Sequence, residues 1–501
     1  MILSHFRKPT LSLQIINRSF ASGSWIIFLK ADMYKKVDRV FLQLPQEYNT
    51  DLLPEIRQEF LRSEKTVVVF DDDPTGTQTC YDVVVLTSWA VSVIAEQLKQ
   101  KPSILFILTN SRSLSVQKAV ELNMEIGKNL NEAVKESGRN IVVISRSDST
   151  LRGHFPAEVT AIASALQLQE AIWILIPAFI EGGRYTLDDV HYIVEHGELV
   201  PVSDTPFAKD KVFGYSHSNL KEWVEEKSNG RIKAAKIVSC SIEDIRLGGP
   251  DIIAGKLIRC SSEDVVIINA ASNKDLEVLT MGILKAEKSG KQFLYRSSAT
   301  FVSIRAGIAP GKIFTPSKKE ITAEHGSLII VGSYVPKTSA QLTYLLQEKK
   351  HEPIEISVPE LLEATNTGEQ LAAVIKQTDW WLASGRDVVI YTSRELKTGK
   401  DAEGNLKINS EVSSFLVDII QGITIRPAFI IAKGGITSSD LASKGLSAES
   451  ALILGQAIPG VPVWRLAPAS KFPEIIYVVF PGNVGDDAAL ANVWNKFKSP
   501  A

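Results

Sequence analysis

The densest group of reactive side chains is the acidic turn, residues 71–79, which reads DDDPTGTQT and follows the apolar run TVVVF at 66–70. Three consecutive carboxylates repel one another and raise one another's proton affinity unless a cation or hydrogen-bond donors compensate. A carboxylate in such a setting can accept a proton from a substrate hydroxyl or bind Mg²⁺. The acidic turn therefore predicts acid–base or metal chemistry, and the alternative is an Asp-rich turn that only caps a helix.

Three further loops in the same part of the chain combine arginine, aspartate and hydroxyl side chains. The loops span 145–158, 177–189 and 203–210, and the charged residues predicted to bind substrate are Asp148, Arg152, Arg184 and Asp204. The planar guanidinium of arginine matches a carboxylate in two-point geometry, whereas aspartate and hydroxyl groups bind sugar hydroxyls. Each loop alone could be structural, but together they predict a pocket for a small polyhydroxy acid.

The second part of the chain carries small and hydroxyl residues in equivalent places. The loops are GSYVPKTSAQL at 332–342, KGGITSSD at 433–440 and FPGNVGDDAAL at 480–490. Glycine lets the backbone approach a phosphate closely, and amides with Ser or Thr hydroxyls at a helix start form an anion site. Three such turns predict a nucleotide triphosphate site, although any single one could be an ordinary strand-to-helix turn. Neither a P-loop nor a dinucleotide-binding G-x-G-x-x-G pattern with a downstream acid occurs.

These loops follow runs of apolar residues that predict buried strands. The runs span 66–70, 104–109, 141–145, 172–177, 265–270, 327–333, 387–393, 428–435 and 476–482. They are continuous rather than alternating, as in parallel strands covered on both faces. Helical patterns lie between them, for example at 115–137 and 360–384. We predict an α/β fold of two lobes, each a largely parallel sheet covered by helices, with the active site in the cleft between the lobes.

A segment rich in Pro, Gly and charge at 306–326 separates the two sets of strands and sets the predicted domain boundary. The length of 501 residues also favours two domains. The predicted organisation is an N-terminal extension (1–32), an N-terminal domain (33–310), a linker (311–325) and a C-terminal domain (326–501).

Composition excludes several classes of protein. The net charge of −2 argues against a nucleic-acid partner, and no apolar run is long enough to cross a membrane. Three widely spaced cysteines predict no disulfide framework and suit a reducing compartment. Residues 1–31 contain Arg and Ser but no acidic residue, so they predict either a mitochondrial transit peptide or an extension outside the fold. The expected location is the cytoplasm, or the mitochondrial matrix if the leader is real.

Five ordered motifs resemble those of the four-carbon acid sugar kinase family. They are DDPTG at 72–76, DSTLRG at 148–153, Gly332-Ser333, GGITS at 434–438 and GNVG at 482–485. The resemblance covers roughly residues 65–495. The chain departs from the family in the extra Asp71, in the reading Pro-Thr-Gly-Thr of its acidic turn and in Arg146, where relatives often carry Lys. These departures concern the substrate more than the reaction.

The resemblance implies a sugar-acid-binding N-terminal domain, a nucleotide-binding C-terminal domain and the cofactors ATP and Mg²⁺. It implies catalytic roles for Asp72 and Asp73, with no metal site assigned to particular residues. The predicted substrate-binding residues are Thr75, Gly76, Asp148, Arg152, Arg184 and Asp204, of which the resemblance implies Arg152 and Arg184. The predicted nucleotide-binding residues are Gly332, Ser333, Gly434, Gly435, Thr437, Ser438, Gly482, Asn483 and Gly485, and the resemblance implies all of them except Gly332, Asn483 and Gly485.

The expected activity is ATP-dependent phosphorylation of a hydroxyl on a small sugar acid, such as threonate, erythronate or a keto-tetronate. Two alternatives stay open: a hydroxy-acid oxidoreductase, and a catalytically inactive protein that binds sugar acid and nucleotide. The oligomeric state is also open, a homodimer included.

Overall fold

The computed structural model describes residues 34–262, 264–309, 311–321, 324–364, 366–394 and 402–499. The extension at 1–32, for which a transit peptide is one of the two predictions, lies outside these residues. We call residues 34–309 the N-terminal half and residues 311–499 the C-terminal half.

The N-terminal half contains twelve strands and ten α-helices within its described residues. The strands are β1 (Lys35–Lys36), β2 (Lys65–Asp71), β3 (Val83–Leu86), β4 (Ile104–Leu108), β5 (Asn140–Arg146), β6 (Ile172–Ile176), β7 (Arg184–Leu187), β8 (Val190–Glu195), β9 (Glu198–Pro201), β10 (Val238–Cys240), β11 (Val265–Ile268) and β12 (Phe293–Ser297). The helices are α1 (Val37–Phe41), α2 (Leu53–Arg62), α3 (Val91–Lys99), α4 (Val116–Ser137), α5 (Ala157–Ala165), α6 (Leu220–Lys227), α7 (Ile242–Arg246), α8 (Gly249–Arg259), α9 (Asn273–Lys288) and α10 (Ala299–Arg305).

The C-terminal half contains seven strands and six helices within its described residues. The strands are β13 (Leu328–Val331), β14 (His351–Ile356), β15 (Asp387–Thr392), β16 (Ile430–Lys433), β17 (Ser450–Gln456), β18 (Pro462–Leu466) and β19 (Ile476–Phe480). The helices are α11 (Pro336–Gln347), α12 (Val358–Glu363), α13 (Gly368–Ala383), α14 (Ala402–Gly422), α15 (Gly435–Asp440) and α16 (Ala489–Lys498).

One sheet runs through both halves. Its order is β10-β11-β6-β12-β5-β2-β4-β3-β17-β18-β19-β16-β13-β15-β14. The strands from β10 to β3 pair in parallel, as do those from β19 to β14, and antiparallel pairs of β17 with β3 and β18, and of β18 with β19, join the two blocks. A separate antiparallel sheet has the order β1-β9-β8-β7. The predicted two-lobe α/β fold is confirmed, with the two parallel sheets continuous rather than separate.

Each of the nine predicted strands is present, with ends that differ by no more than two residues. The interiors of these strands are buried except for the half-buried Ile141, Trp173 and Tyr391, as expected of continuous apolar runs. The helix predicted at 115–137 also forms: the Ser115 side chain caps its first turn, and Gly138 ends it in the left-handed conformation with φ of 67°.

The prediction of one helix over 360–384 is wrong, because two helices, α12 and α13, occupy this stretch. The backbone at Ala364 is extended after α12 ends. Asn366 then accepts a hydrogen bond from the Gly368 amide through its side chain at 2.9 Å. Asparagine, threonine and glycine favour such turns over helix interiors, so the local sequence breaks the periodic pattern.

The acidic turn is fixed between the two halves. After Asp71 the chain forms a 3₁₀ helix at Pro74–Thr79, and the buried Trp464 of β18 donates its indole N–H to the Thr77 hydroxyl at 3.2 Å. The Asp82 amide donates to the carbonyl of Ile453 in β17 at 2.7 Å. The turn that follows the first long strand therefore contacts the C-terminal half directly. Among the helices of the described residues, none is long and apolar enough to cross a lipid bilayer.

Candidate functional site

Two adjoining cavities open at the carboxyl ends of the parallel strands. The smaller, of about 310 Å³, is lined mainly by charged residues of the N-terminal half and by the loops at 459–460 and 481–485. The larger, of about 670 Å³, is lined mainly by the glycine turns and α14 of the C-terminal half. Asp73 lines both cavities, and a Cβ built on Gly435 would lie 2.9 Å from its Oδ2. The acidic turn and the glycine turn after β16 thus meet at the junction.

The two candidate catalytic carboxylates have different surroundings. Asp72 is buried, accepts a short hydrogen bond from the Ser147 hydroxyl and lines only the larger cavity. Asp73 caps the start of the 3₁₀ helix, and its carboxylate accepts a hydrogen bond from the Thr75 amide at 2.8 Å. Burial alone would raise the pKa of Asp73, but the Arg112 guanidinium and the Thr75 hydroxyl lower it below its usual value. Asp73 is therefore an ionised acceptor at the cavity junction.

Arg112 holds the acidic cluster together. Its Nη2 lies 2.6 Å from Asp73 Oδ2 and 3.3 Å from Asp72 Oδ1, and its Nη1 lies 3.4 Å from Asp148 Oδ1. Burial opposes the charge of this guanidinium, but the three carboxylates raise its pKa above the ordinary value. Sequence reasoning missed Arg112. The signal was available, because Arg112 follows the second predicted strand and carboxyl ends of parallel strands share one edge of a sheet.

Asp71 and Arg146 form a buried pair behind the acidic turn. Arg146 Nη1 lies 3.1 Å from Asp71 Oδ1 and 3.8 Å from Asp72 Oδ1. Burial raises the pKa of Asp71 to about 7, against the opposing effect of Arg146 and with the support of the neighbouring carboxylates. A Cβ on Gly76 would lie 2.1 Å from Asp71 Oδ2. Gly76 lines neither cavity. Because it has no side chain, it leaves room for the Asp71 carboxylate.

The loop after β5 brings Asp148 and Arg152 to the smaller cavity. Arg152 Nε donates to Asp148 Oδ2 at 2.7 Å, and its guanidinium carbon lies 5.0 Å from the centre of the Phe207 ring. Burial would raise the pKa of Asp148, but Arg152 and Arg112 hold it far below its usual value. The carboxylate of Asp148 stays ionised, and Arg152 is fixed on one side by that charge and on the other by the ring.

Arg184 lines the same cavity from the first residue of β7. Gly183 before it has φ of 71°, and Arg184 Nη1 donates a short hydrogen bond to the Gly182 carbonyl. Its buried Nε has no hydrogen-bond partner among the described residues. No carboxylate among the described residues forms an ion pair with the Arg184 guanidinium. A buried donor without a partner costs free energy, so Arg184 is prepared to bind an anion.

Asp204 does not join the other predicted substrate residues. Its side chain is exposed, lies outside both cavities and accepts a hydrogen bond from the Tyr34 hydroxyl at 3.3 Å. The reason is a short 3₁₀ helix, Val202–Asp204, that turns it toward the surface. Asp210, farther along the same loop, lines the larger cavity instead and lies 3.7 Å from Arg152 Nη1. The predicted placement of Asp204 in the site is corrected accordingly.

The glycine turns of the C-terminal half pack tightly against one another. Gly434 has φ of 120°, and a Cβ on Gly332 would lie 2.2 Å from the Thr437 hydroxyl. A Cβ on Gly482 would lie 2.9 Å from the Ser333 hydroxyl. No larger residue fits these positions without movement of its neighbours. The amides of Gly332 and Ser333 donate to the Lys433 carbonyl and that of Gly434 to the Phe480 carbonyl, which fixes the turns along the larger cavity.

Of the remaining predicted nucleotide residues, some line a cavity and one holds a turn in place. Ser333, Thr437 and Asn483 line the larger cavity, and Gly485 lines the smaller one. Ser438 lines neither: its buried hydroxyl donates to the carbonyls of Ala432 and Gly434 and so fixes the turn after β16. The far wall of the larger cavity is apolar and comprises Val358, Ile408, Val412, Leu416 and Ile436.

The acidic residues do not form a metal site by themselves. Among the described residues, no group of three His, Cys, Asp or Glu side chains is arranged to hold a metal ion. Asp72 and Asp73 share Arg112 as their cation instead. These two carboxylates could still supply single oxygen ligands to an ion that arrives with phosphate groups.

Comparison with known proteins agrees with the division of the site. Family models match a sugar-binding N-terminal domain over residues 67–305 and a nucleotide-binding C-terminal domain over residues 328–490. A D-threonate kinase of Salmonella typhimurium LT2 is 23% identical over 442 residues, which are 85% of this chain and 97% of the relative.

Two solved structures share the fold. A Haemophilus influenzae protein matches with a TM-score of 0.56 and 19% identity over 86% of this chain and 100% of its own. A Salmonella typhimurium LT2 protein matches with a TM-score of 0.60 and 16% identity over 86% and 99%. With the two domain matches in the expected order on this fold, the chain belongs to the four-carbon acid sugar kinase family.

Proposed function

We propose that this protein transfers the γ-phosphoryl group of ATP to a hydroxyl of a four-carbon sugar acid, such as threonate, erythronate or a keto-tetronate. The observation that carries the proposal is the position of Asp73, an ionised carboxylate that lines both cavities at their junction. A group that accepts a hydroxyl proton at the point where two substrates meet is what direct phosphoryl transfer requires.

The sugar acid fits the smaller cavity. Arg184 and Arg152 both line it and supply two cations for a carboxylate. Asp148 and the hydroxyl of Thr150 line the same space and suit hydroxyl groups of the substrate. A volume of about 310 Å³ holds a molecule of roughly ten heavy atoms with some water.

ATP fits the larger cavity. Gly435, the 482–483 turn and the side chains of Ser333 and Thr437 line it for the phosphates, and Lys337 at the start of α11 adds a cation. The apolar wall formed by α12, α14 and Ile436 suits the flat face of a purine. This orientation places the terminal phosphate next to Gly435 and Asp73.

The proposed step is one displacement at phosphorus. The substrate hydroxyl oxygen forms a bond to the γ-phosphorus while the bond from that phosphorus to the β–γ bridging oxygen breaks. The electron pair stays on ADP, and the hydroxyl proton passes to the Asp73 carboxylate. Mg²⁺ bound with ATP would neutralise phosphate charge, with Asp72 or Asp73 as single oxygen ligands. The buried acidic turn keeps these groups in fixed positions.

The test is an ADP-release assay of the full chain with Mg-ATP and a panel of four- to six-carbon sugar acids, D-threonate first. We expect turnover that requires one acid of the panel, with product phosphorylated on a hydroxyl by ³¹P NMR. Thermal shift with ATP against NAD⁺ and NADP⁺ tests the oxidoreductase alternative. Stabilisation by a dinucleotide but not ATP, or no ADP release with any acid, would contradict the proposal.

A further inference from the structure

We propose that Arg112 is a catalytic residue of the N-terminal half that contacts the transferred phosphoryl group and stabilises its charge in the transition state. This inference rests on the phosphoryl transfer described under Proposed function. It assigns a role to a residue that lies outside all five family motifs and outside the predicted site.

The first reason is position. A phosphoryl group that leaves the nucleotide and reaches the sugar acid must pass the residues that line both cavities. Only three charged side chains among the described residues do so: Asp73, Arg112 and Arg152. Asp73 accepts the proton, so the stabilising cation must be one of the two arginines.

The second reason is the difference between these arginines. Arg152 is bound by Asp148 at 2.7 Å and lies over the Phe207 ring, so these contacts are with residues other than the base. Arg112 Nη2 lies 2.6 Å from Asp73 Oδ2. The base and the attacked phosphorus are both neighbours of the same hydroxyl oxygen, so a cation in contact with the base is within reach of the phosphoryl oxygens.

The third reason is charge. Guanidinium groups pair with carboxylates around the junction, as Arg152 does with Asp148 and Asp210. The Arg112 guanidinium shares its two terminal nitrogens among three carboxylates, at 2.6 to 3.4 Å. The two longer contacts, to Asp72 and Asp148, can be exchanged for a phosphoryl oxygen while the contact to Asp73 keeps the cation paired.

The test compares Arg112→Lys with a matched control, Arg246→Lys. Lysine keeps the charge but loses the planar fork. Arg246 is more deeply buried than Arg112 and is bound to Asp275 by two hydrogen bonds of 2.8 and 2.9 Å, but it lines neither cavity. We expect R112K to lower kcat about 10²- to 10³-fold, as removal of one transition-state donor does, with the Kd of ATP and of the sugar acid changed less than threefold by calorimetry. R246K should lose thermal stability but keep kcat within twofold.

A second measurement uses the unmodified protein and a mimic of the transferred group. In a crystal with ADP, aluminium fluoride and the sugar acid, an Arg112 terminal nitrogen should lie within about 3 Å of a fluorine. A separation beyond about 5 Å, or an R112K variant that keeps kcat within threefold, would overturn the assignment. These outcomes differ from failure of the proposed function, in which the unmodified protein itself releases no ADP with any sugar acid.

Discussion

The two halves of the sheet place their site residues at the same carboxyl ends of parallel strands but use different chemistry there. The loops of the N-terminal half present charged side chains, which are held by ion pairs such as Arg112 with Asp73 and Arg152 with Asp148. The loops of the C-terminal half present glycines, whose missing side chains leave room for Thr437, Ser333 and Asp73. One region is defined by charge and the other by space.

This difference predicts how each half responds to substitution. A lost charge in the N-terminal half should remove a chemical function or a substrate contact while the backbone stays in place. An added methyl group in the C-terminal half should displace the backbone and so affect several functions at once. The predictions below test this contrast, from the largest expected effect on catalysis to the smallest.

Asp73→Asn should lower kcat by about 10²- to 10⁴-fold with little change in ATP affinity, because asparagine cannot accept the hydroxyl proton. The measurement is steady-state ADP release together with calorimetric binding of ATP. Asp204→Asn is the matched control, since Asp204 is exposed outside both cavities, and it should keep kcat within twofold. A loss of less than tenfold in D73N would remove Asp73 from the role of base.

Gly435→Ala should reduce kcat by about 10²-fold and weaken ATP binding as well, because the new Cβ would lie 2.9 Å from Asp73 Oδ2 and must displace one of the two turns. Gly255→Ala in α8 is the control, because the nearest atom to its Cβ is the Arg259 side chain at 3.7 Å. That variant should be neutral or stabilised by about 0.5–1 kcal/mol. Wild-type kinetics in G435A would show that the two halves are not in contact at this point during turnover.

Arg184→Met should raise the KM of the sugar acid about 10- to 100-fold, which corresponds to the 1.5–3 kcal/mol of hydrogen bonds to a charged group. Its kcat and the KM of ATP should stay within threefold, because the residue contacts the substrate away from the reacting atoms. Steady-state kinetics at varied concentrations of each substrate separates these parameters. An increase in the KM of ATP instead would place the sugar carboxylate elsewhere in the smaller cavity.

Much of the fold followed from sequence patterns because buried parallel strands are continuous apolar runs. The strands that join the halves, β3, β17 and β18, were not predicted. Strand β3 is an apolar run of only four residues, whereas Gly455 interrupts the aliphatic run of β17 and Trp464 that of β18. The strands of the small antiparallel sheet were not predicted either, because they are not continuous aliphatic runs. The bounds proposed for the two domains stay a prediction.

The site was predictable where a motif names a residue and not where geometry selects it. Asp73, Asp148, Arg152 and Arg184 all line the smaller cavity, as their positions after strands suggested. Arg112 belongs to no motif, and its position after a predicted strand, the same signal that indicated the other four, was the only sequence pattern that indicated it. Asp204 was misplaced because sequence does not show which way a short 3₁₀ helix turns a side chain.

The two halves also bury opposite ionisable groups beside their sites, and the pH dependence of stability should differ in sign. Burial raises the pKa of Asp71 in the N-terminal half to about 7 and lowers that of Lys433 in the C-terminal half to about 6. Lys433 is fully buried, donates to the Pro481 carbonyl and lies 3.9 Å from the centre of the Phe480 ring. In both cases folding favours the neutral form.

Between about pH 4 and 7 the folded protein binds the Asp71 proton more tightly than the unfolded chain, so this group's contribution to stability falls as pH rises. From about pH 6 upward the unfolded chain binds the Lys433 proton more tightly, so that contribution rises with pH. Each slope is at most about 1.4 kcal/mol per pH unit.

Chemical denaturation should therefore show that Asp71→Asn removes a loss of stability over pH 4–6 and that Lys433→Met removes a gain over pH 7–9. The buried His191, whose pKa burial lowers to about 4, opposes Asp71 in the acidic range, but it is present in wild type and variant alike and cancels in their difference. Equal slopes for wild type and variant in either range would mean that the corresponding group is already ionised in the folded protein, and the two halves would then not differ in the sign of their pH dependence.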